Sequence, residues 1–246
     1  RDIRLEAYDW GRITGTVIRQ KHESGRVTLF VTPFCENAPE GSTLSITLTD
    51  PQGVTIATAF VNSGAEAQLL VEAPQFWWPV GYGQQPLYRV KIQLISCGLV
   101  WAQEEKTLGL RTISLDRSVQ PDGSHYRFLV NDVPIFFRGE NLIIPDSILS
   151  RTTVEYWEKL IENCLKSNLN GIRVWGGAYY PPDEFYDLCD ANGILVYQDM
   201  MFASSFYQVW PEFLENVRAE LEDNLSRIAS HACLALICGN NEIDAI

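Results

Sequence analysis

Hydrophobic positions in the first hundred residues recur at every second place, in short runs of β-branched and aromatic type. Such runs occupy 27–32, 43–48 and 54–57, with later ones at 87–94 and 107–110. Asp50-Pro51-Gln52-Gly53 and Asn62-Ser63-Gly64 supply turn chemistry between them. A strand every ten residues or so predicts an antiparallel β-sandwich of immunoglobulin-like size. The Cys–Trp–Cys spacing of an antibody-type domain is missing. The pattern loosens into polar, Pro and Gly residues between Ile113 and Gly123. A hairpin then follows, with strands at 126–130 and 133–137 around Asn131-Asp132. The expected domains are therefore residues 1–113 and 124–246.

Past this point the period changes from two to that of helices alternating with short apolar strands. Thr152 or Thr153 can cap a helix reaching Ser167, with Trp157, Leu160, Ile161, Cys164 and Leu165 along one face. Pro181-Pro182-Asp183 opens a second helix, which Asn192-Gly193 closes. A third starts near Pro211-Glu212 and carries Phe213, Val217, Leu221, Leu225 and Ile228. The intervening strands are expected at 135–138, 172–175, 194–197 and 234–238. The last is apolar throughout, as a strand covered on both faces should be. Successive β/α units predict a parallel sheet, either the first four units of a (β/α)8 TIM barrel or an open doubly wound sheet. No GxGxxG or GxxxxGK[ST] follows the first strand, which disfavours nucleotide binding and leaves the barrel ahead.

Composition narrows the partners. The 246 residues are 46% hydrophobic and 20% charged, enough for a real core. A net charge of −12 with no basic run would repel a phosphate backbone, so nucleic acid is not an expected partner, whereas a neutral sugar is compatible. No stretch approaches the roughly 20 apolar residues of a membrane helix, and no membrane partner is expected. Residues 1–8 read as a strand entered mid-chain. The six cysteines are spread thinly and read as buried thiols. His231, Cys233 and Cys238 come nearest to a ligand set, yet they flank an apolar run where small residues pack, so no metal is expected. Such thiols favour a reducing, cytoplasmic setting over a lysosomal or secreted one, and localisation stays open. Asn224-Leu225-Ser226 falls inside a helical pattern and says little about glycosylation.

In a barrel the active site gathers at the C-terminal strand ends. There the chain carries Arg138-Gly139-Glu140-Asn141, Trp175-Gly176-Gly177, Gln198-Asp199 and Gly239-Asn240-Asn241-Glu242. Carboxylates, amides, an arginine and an aromatic ring in one bowl are what cleaving a sugar requires. One carboxyl protonates the departing oxygen; in retaining enzymes a second, ~5–5.5 Å away, captures the anomeric carbon.

Several motifs carry a resemblance at this point. They are Trp77-Trp78-Pro79-Val80-Gly81-Tyr82-Gly83 with Gln85-Pro86-Leu87-Tyr88, then Arg173-Val174-Trp175-Gly176-Gly177, then Phe185-Tyr186-Asp187-Leu188-Cys189-Asp190, then the stretch from Gly193 to Ala203, then Cys238-Gly239-Asn240-Asn241-Glu242. In that order and at those separations, the chain resembles the β-mannosidases of glycoside hydrolase family two. Those enzymes join a sugar-binding jelly roll, an immunoglobulin-like sandwich and a (β/α)8 barrel.

The resemblance implies removal of terminal non-reducing β-D-mannose from oligosaccharides with retention, without cofactor or metal. It gives Glu242 the role of general acid, later base, and Asn241 a hydrogen bond to the sugar 2-hydroxyl. Arg173 would steady the nucleophile, Trp175 would form part of the sugar-binding wall, and Asp199 would bind sugar hydroxyls, with Asn141 also facing substrate. It further implies that this chain stops before the nucleophile and lacks the jelly roll, so that alone it should be inactive. Leu142, Ala178, Tyr197, Ala232, Cys233 and Ile237 depart from the family's usual residues and leave fine substrate preference open. Two other readings remain. One is a different family-two activity, namely β-galactosidase, β-glucuronidase or exo-glucosaminidase. The other is a non-catalytic sugar-binding module using Trp77, Trp78 and Tyr82, although rings set among tight turns are better suited to fixing a loop against a neighbouring domain.

Overall fold

In the computed structural model the described residues are Leu5, Ala7, Tyr8 and 11–243; the strand expected over residues 1–8 lies largely outside them. The chain forms two compact units, one of residues Arg1–Gln75 with Pro86–Leu110, the other of Phe76–Gln85 with Arg111–Ile246. The segment between Gln75 and Pro86 thus leaves the first unit and belongs to the second.

The first unit is a β-sandwich of seven strands: β1 (Arg12–Glu23), β2 (Arg26–Glu36), β3 (Thr43–Thr49), β4 (Thr55–Asn62), β5 (Ala67–Glu72), β6 (Tyr88–Ser96) and β7 (Leu99–Leu108). They lie in sheets of order β1-β2-β5 and β4-β3-β6-β7, with every pairing antiparallel. The period-two pattern explains the packing. Val27, Leu29 and Val31 of one sheet meet Leu44, Ile46, Leu48, Val90, Ile92 and Leu94 of the other in a single buried cluster. Each such side chain contributes ~1.5–3 kcal/mol on burial. Cys97 and Gly98, at φ 52° and 75°, form the two-residue turn joining β6 to β7, the double positive φ that a tight hairpin requires.

The second unit opens with β8 (Ile113–Asp116), the small hairpin β9 (Val119–Gln120) and β10 (Gly123–Ser124), then β11 (Arg127–Val130) and β12 (Val133–Ile135) around the expected Asn131-Asp132 turn. A parallel sheet follows, of order β13 (Gly139–Leu142), β14 (Gly171–Val174), β15 (Leu195–Asp199) and β16 (Leu234–Cys238). Helices α1 (Val154–Lys166), α2 (Asp183–Asn192) and α3 (Pro211–Ile228) connect them. Among the described residues no helix is long and apolar enough to cross a membrane.

One strand of this sheet lies beyond its expected place. The apolar run at 135–138 is not the first strand of this sheet: Ile135 ends the hairpin, and β13 starts at Gly139. Gly139 and Gly171 are register partners, and a side chain on either would occupy the place of the Phe137 ring. Phe137 therefore packs over two bare backbones instead of standing in the sheet.

Helix ends follow local chemistry. Pro182 caps α2 and Gly193 ends it in the left-handed region, at φ 71°. The Gly193 carbonyl accepts from Val80 N at 2.8 Å, and an added Cβ would stand 2.5 Å from that nitrogen. Gly193→Ala therefore meets both strain and a backbone clash, and is expected to destabilise the protein by roughly 2 kcal/mol or more. Thermal unfolding of the variant measures it; an unchanged Tm would contradict the close approach.

Candidate functional site

In a parallel sheet register partners point the same way, and every second residue along a strand shares their face. Asn141, Arg173 and Tyr197 are partners in successive strands, and Asp199 stands two residues beyond Tyr197. These four line one face. Ile172, Val174, Val196 and Gln198 take the opposite, buried face, where the Tyr186 hydroxyl of α2 donates to Gln198 Oε1 at 2.7 Å. The sequence places Asn141 and Asp199 just after the expected strands at 135–138 and 194–197, and Arg173 and Trp175 within the one expected at 172–175. In the structure Asn141, Arg173 and Asp199 stand inside strands, and Trp175, Asn241 and Glu242 follow them.

Arg173 is the hub. Its Nη2 donates to Asp199 Oδ2 at 2.7 Å and to Asn241 Oδ1 at 2.7 Å, its Nε to Asp199 Oδ1 at 3.3 Å, and its Nη1 to Asn141 Oδ1 at 3.3 Å. The guanidinium carbon also lies 5.5 Å from the Tyr197 ring centroid, a cation–π arrangement. Burial works against its charge, but the Asp199 bond and charge outweigh that and raise its proton affinity. Asp199 is completely buried, and its Oδ2 accepts a further bond from Gly176 N at 3.1 Å. Gly176 must be glycine, because a Cβ there would meet the Met200 and Phe202 carbonyls. Both oxygens of Asp199 thus face protein donors in a fork that fixes the guanidinium plane. A side chain without exposed surface is an anchor for Arg173 before it is a contact for sugar.

Because Arg173 offers only donors, Asn241 must turn its amide oxygen toward it, which leaves the amide nitrogen to donate elsewhere. Asn241 itself is buried, and its backbone runs beside 202–204 as a short parallel bridge. Asn241 N donates to Phe202 O at 2.8 Å, and Ser204 N donates to Asn241 O at 3.0 Å. Glu242 follows, exposed and at φ 57°, with Ser204 Oγ donating to its Oε2 at 3.4 Å. Trp175 is half-buried, and its ring fills the space beside Gly177. Burial, then the hydrogen bond and charge of Cys238, push the Tyr197 phenol up, so it stays neutral beside Arg173.

A second buried cluster sits away from this face. His231 Nδ1 lies 2.8 Å from Asp190 Oδ2, and Cys233 N donates to Asp190 Oδ1 at 2.7 Å. Asp190, His231 and Cys233 offer ligand atoms within 4.8 Å of one another, whereas Cys238 is outside the group. Both carboxylate oxygens are already engaged, which is how a buried carboxylate satisfies itself without an ion. Trp77 is fully buried and donates its Nε1 to Asp190 O at 2.8 Å, which removes it as an exposed sugar platform. Sequence reasoning missed Asp190 as the partner of His231, since 41 residues separate them. It also missed Ser204 beside Glu242; the only available signal was a polar residue soon after a strand end.

Comparison with known proteins bears on this geometry. Residues 12–111 match the family described as Glycosyl hydrolases family 2. Beta-mannosidase B of Aspergillus fumigatus is 34% identical over 98% of this chain, and the chain spans 29% of that protein's length. Beta-D-mannosidase of Dictyoglomus thermophilum superposes with a TM-score of 0.91 at 27% identity, over 96% of this chain and 30% of that one. A beta-glucuronidase of Parabacteroides merdae shares the fold, with a TM-score of 0.77 at 15% identity over 92% of this chain and 28% of that one. The family match thus places residues 12–111 in glycosyl hydrolase family 2, and nearly the whole chain is similar to part of a β-mannosidase.

Proposed function

We propose that this chain is the central part of a retaining β-mannosidase that removes terminal non-reducing β-D-mannose from oligosaccharides, with no cofactor. The seven-stranded sandwich is read as an immunoglobulin-like domain over residues 1–113. The parallel sheet with its three connecting helices is read as the opening of a (β/α)8 barrel over 124–246. The nucleophile would come from a part of the enzyme outside this chain.

The observation that carries the reading is the ordered pair at the end of β16. Asn241 is oriented by Arg173 at 2.7 Å, and Glu242 stands next to it with an exposed carboxyl. Glu242 would protonate the glycosidic oxygen and then deprotonate water, while the Asn241 amide nitrogen would donate to the sugar 2-hydroxyl as the oxocarbenium character grows. Arg173, with Asn141 and Tyr197 beside it, would hold the negative charge of the nucleophile in place, and Trp175 would wall the sugar. Asp199 is assigned to Arg173 rather than to sugar hydroxyls, because it has no exposed surface.

The β-mannosidase relatives at 34% and 27% identity favour mannose over the glucuronide of a 15% identical fold relative. Assaying the full-length enzyme on a panel of aryl β-glycosides decides the matter. The expected result is a kcat/KM for the mannoside at least tenfold above those for galactoside, glucuronide and glucosaminide. Preference for any of these over mannoside would overturn the assignment.

A further inference from the structure

The segment after β15 does more than connect it to α3. Residues 202–204 lie beside Asn241 as an extra parallel bridge, fixed by Asn241 N to Phe202 O at 2.8 Å and Ser204 N to Asn241 O at 3.0 Å. Tyr207 then pins the middle residue of that segment. Ala203 N donates to the Tyr207 hydroxyl at 3.1 Å, and the hydroxyl donates to Ala203 O at 3.4 Å. The Tyr207 ring is itself set edge-on against Phe202, with centroids 5.1 Å apart, and stacked on Phe213 of α3 at 6.2 Å. A short loop held at its backbone and by a packed ring has little freedom to drift.

Ser204 ends this ladder, and its Oγ reaches Glu242 Oε2 at 3.4 Å. Ser204 and Glu242 both have left-handed backbones, at φ 41° and 57°. Residues other than glycine occupy that region at a cost, and such strain tends to persist where surrounding structure enforces a functional geometry. A carboxyl that must first give a proton to an oxygen and then take one from water needs a fixed direction more than a strong bond. A single hydroxyl donor on one oxygen leaves the other free to work.

We propose that Ser204 is a positioning residue for Glu242, its hydroxyl and the 202–204 ladder together setting which carboxyl oxygen of Glu242 faces the leaving group. This rests on the acid/base reading of Glu242. The role predicts a loss confined to substrates whose leaving group needs a proton.

The test uses the full-length enzyme with two substrates, a β-mannobiose and a dinitrophenyl β-mannoside, and reads kcat/KM, which reports the first bond cleavage. Ser204→Gly removes the hydroxyl while relieving the positive φ, so folding should not suffer. It is expected to lower kcat/KM on mannobiose by about tenfold, as loss of a long hydrogen bond to a charged group would, and to leave the dinitrophenyl substrate within about twofold. Ser204→Asn tolerates the same backbone and restores a donor, and should recover most of the loss. An equal drop on both substrates, no drop on either, or no recovery with asparagine would each overturn the proposal. Glu242→Ala run alongside separates the two ideas. If azide rescues it while Ser204→Gly behaves as wild type, only the Ser204 role fails; if azide does not, the acid/base reading fails and the Ser204 role with it.

Discussion

Glu242→Ala in the full-length enzyme is expected to lower turnover on mannosides with poor leaving groups by roughly two to four orders of magnitude, the usual range of general acid/base catalysis. The loss should be unequal, because the residue acts differently in the two steps. In the first it delivers a proton to the departing oxygen. A dinitrophenolate leaves without that proton, so the covalent intermediate should still form from a dinitrophenyl mannoside. In the second it takes a proton from water, and azide, which needs no base, should replace water and restore turnover as β-mannosyl azide. Asn241→Ala makes the comparison sharp. Its side chain is held by Arg173 and would act through a hydrogen bond to the sugar, so azide has nothing to replace and no rescue is expected. Near wild-type activity of Glu242→Ala, or no azide product from a folded variant, would remove Glu242 from the acid/base role.

What could be read from the sequence was chemistry confined to one turn. The start and stop of α2 follow from Pro181-Pro182-Asp183 and Gly193, and the start of α3 from Pro211, because a proline ring and a glycine at positive φ act on their own backbone. The hairpin at Asn131-Asp132 was visible for the same reason. Strands whose identity depends on a partner were not. β1 is an edge strand with polar residues on both faces, paired among the described residues with β2 alone, and its sequence alternates too weakly to stand out. β13 contains Gly139, Glu140 and Asn141, and becomes a strand only because Gly171 lies beside it under Phe137. The apolar residues just before it gave the stronger local signal and misplaced the strand. The same limit holds at the site. Glu242, Asn241 and Arg173 sit in recognisable local motifs, but the buried state of Asp199 and the approach of Ser204, 38 residues from Glu242, arise only once the sheet is assembled.

Asp199→Ala is expected to cost both stability and activity, and the pattern of the two identifies its role. The carboxylate takes bonds from Arg173 Nη2 at 2.7 Å and Nε at 3.3 Å, and from Gly176 N at 3.1 Å. Removing it strands a guanidinium whose side chain keeps only 28% of its surface exposed, and leaves the Gly176 donor unpaired. Breaking a buried pair from one side costs about 3–5 kcal/mol. Partial exposure of Arg173 lets water take up part of the loss, so roughly 2–4 kcal/mol is expected. The same Nη2 orients Asn241, so a guanidinium free to turn would also release the amide proposed to meet the sugar. Misplacement on the scale of an ångström lowers rates by about a hundredfold, and kcat/KM should fall by at least that much. A double-mutant cycle separates the anchor from a direct sugar contact. If Asp199 acts through Arg173, adding Asp199→Ala to Arg173→Ala should cost little further activity, because the side chain it anchors is already gone. If Asp199 touches sugar on its own account, the two losses should add, and Asp199→Ala should lower activity further even where Arg173 is already alanine.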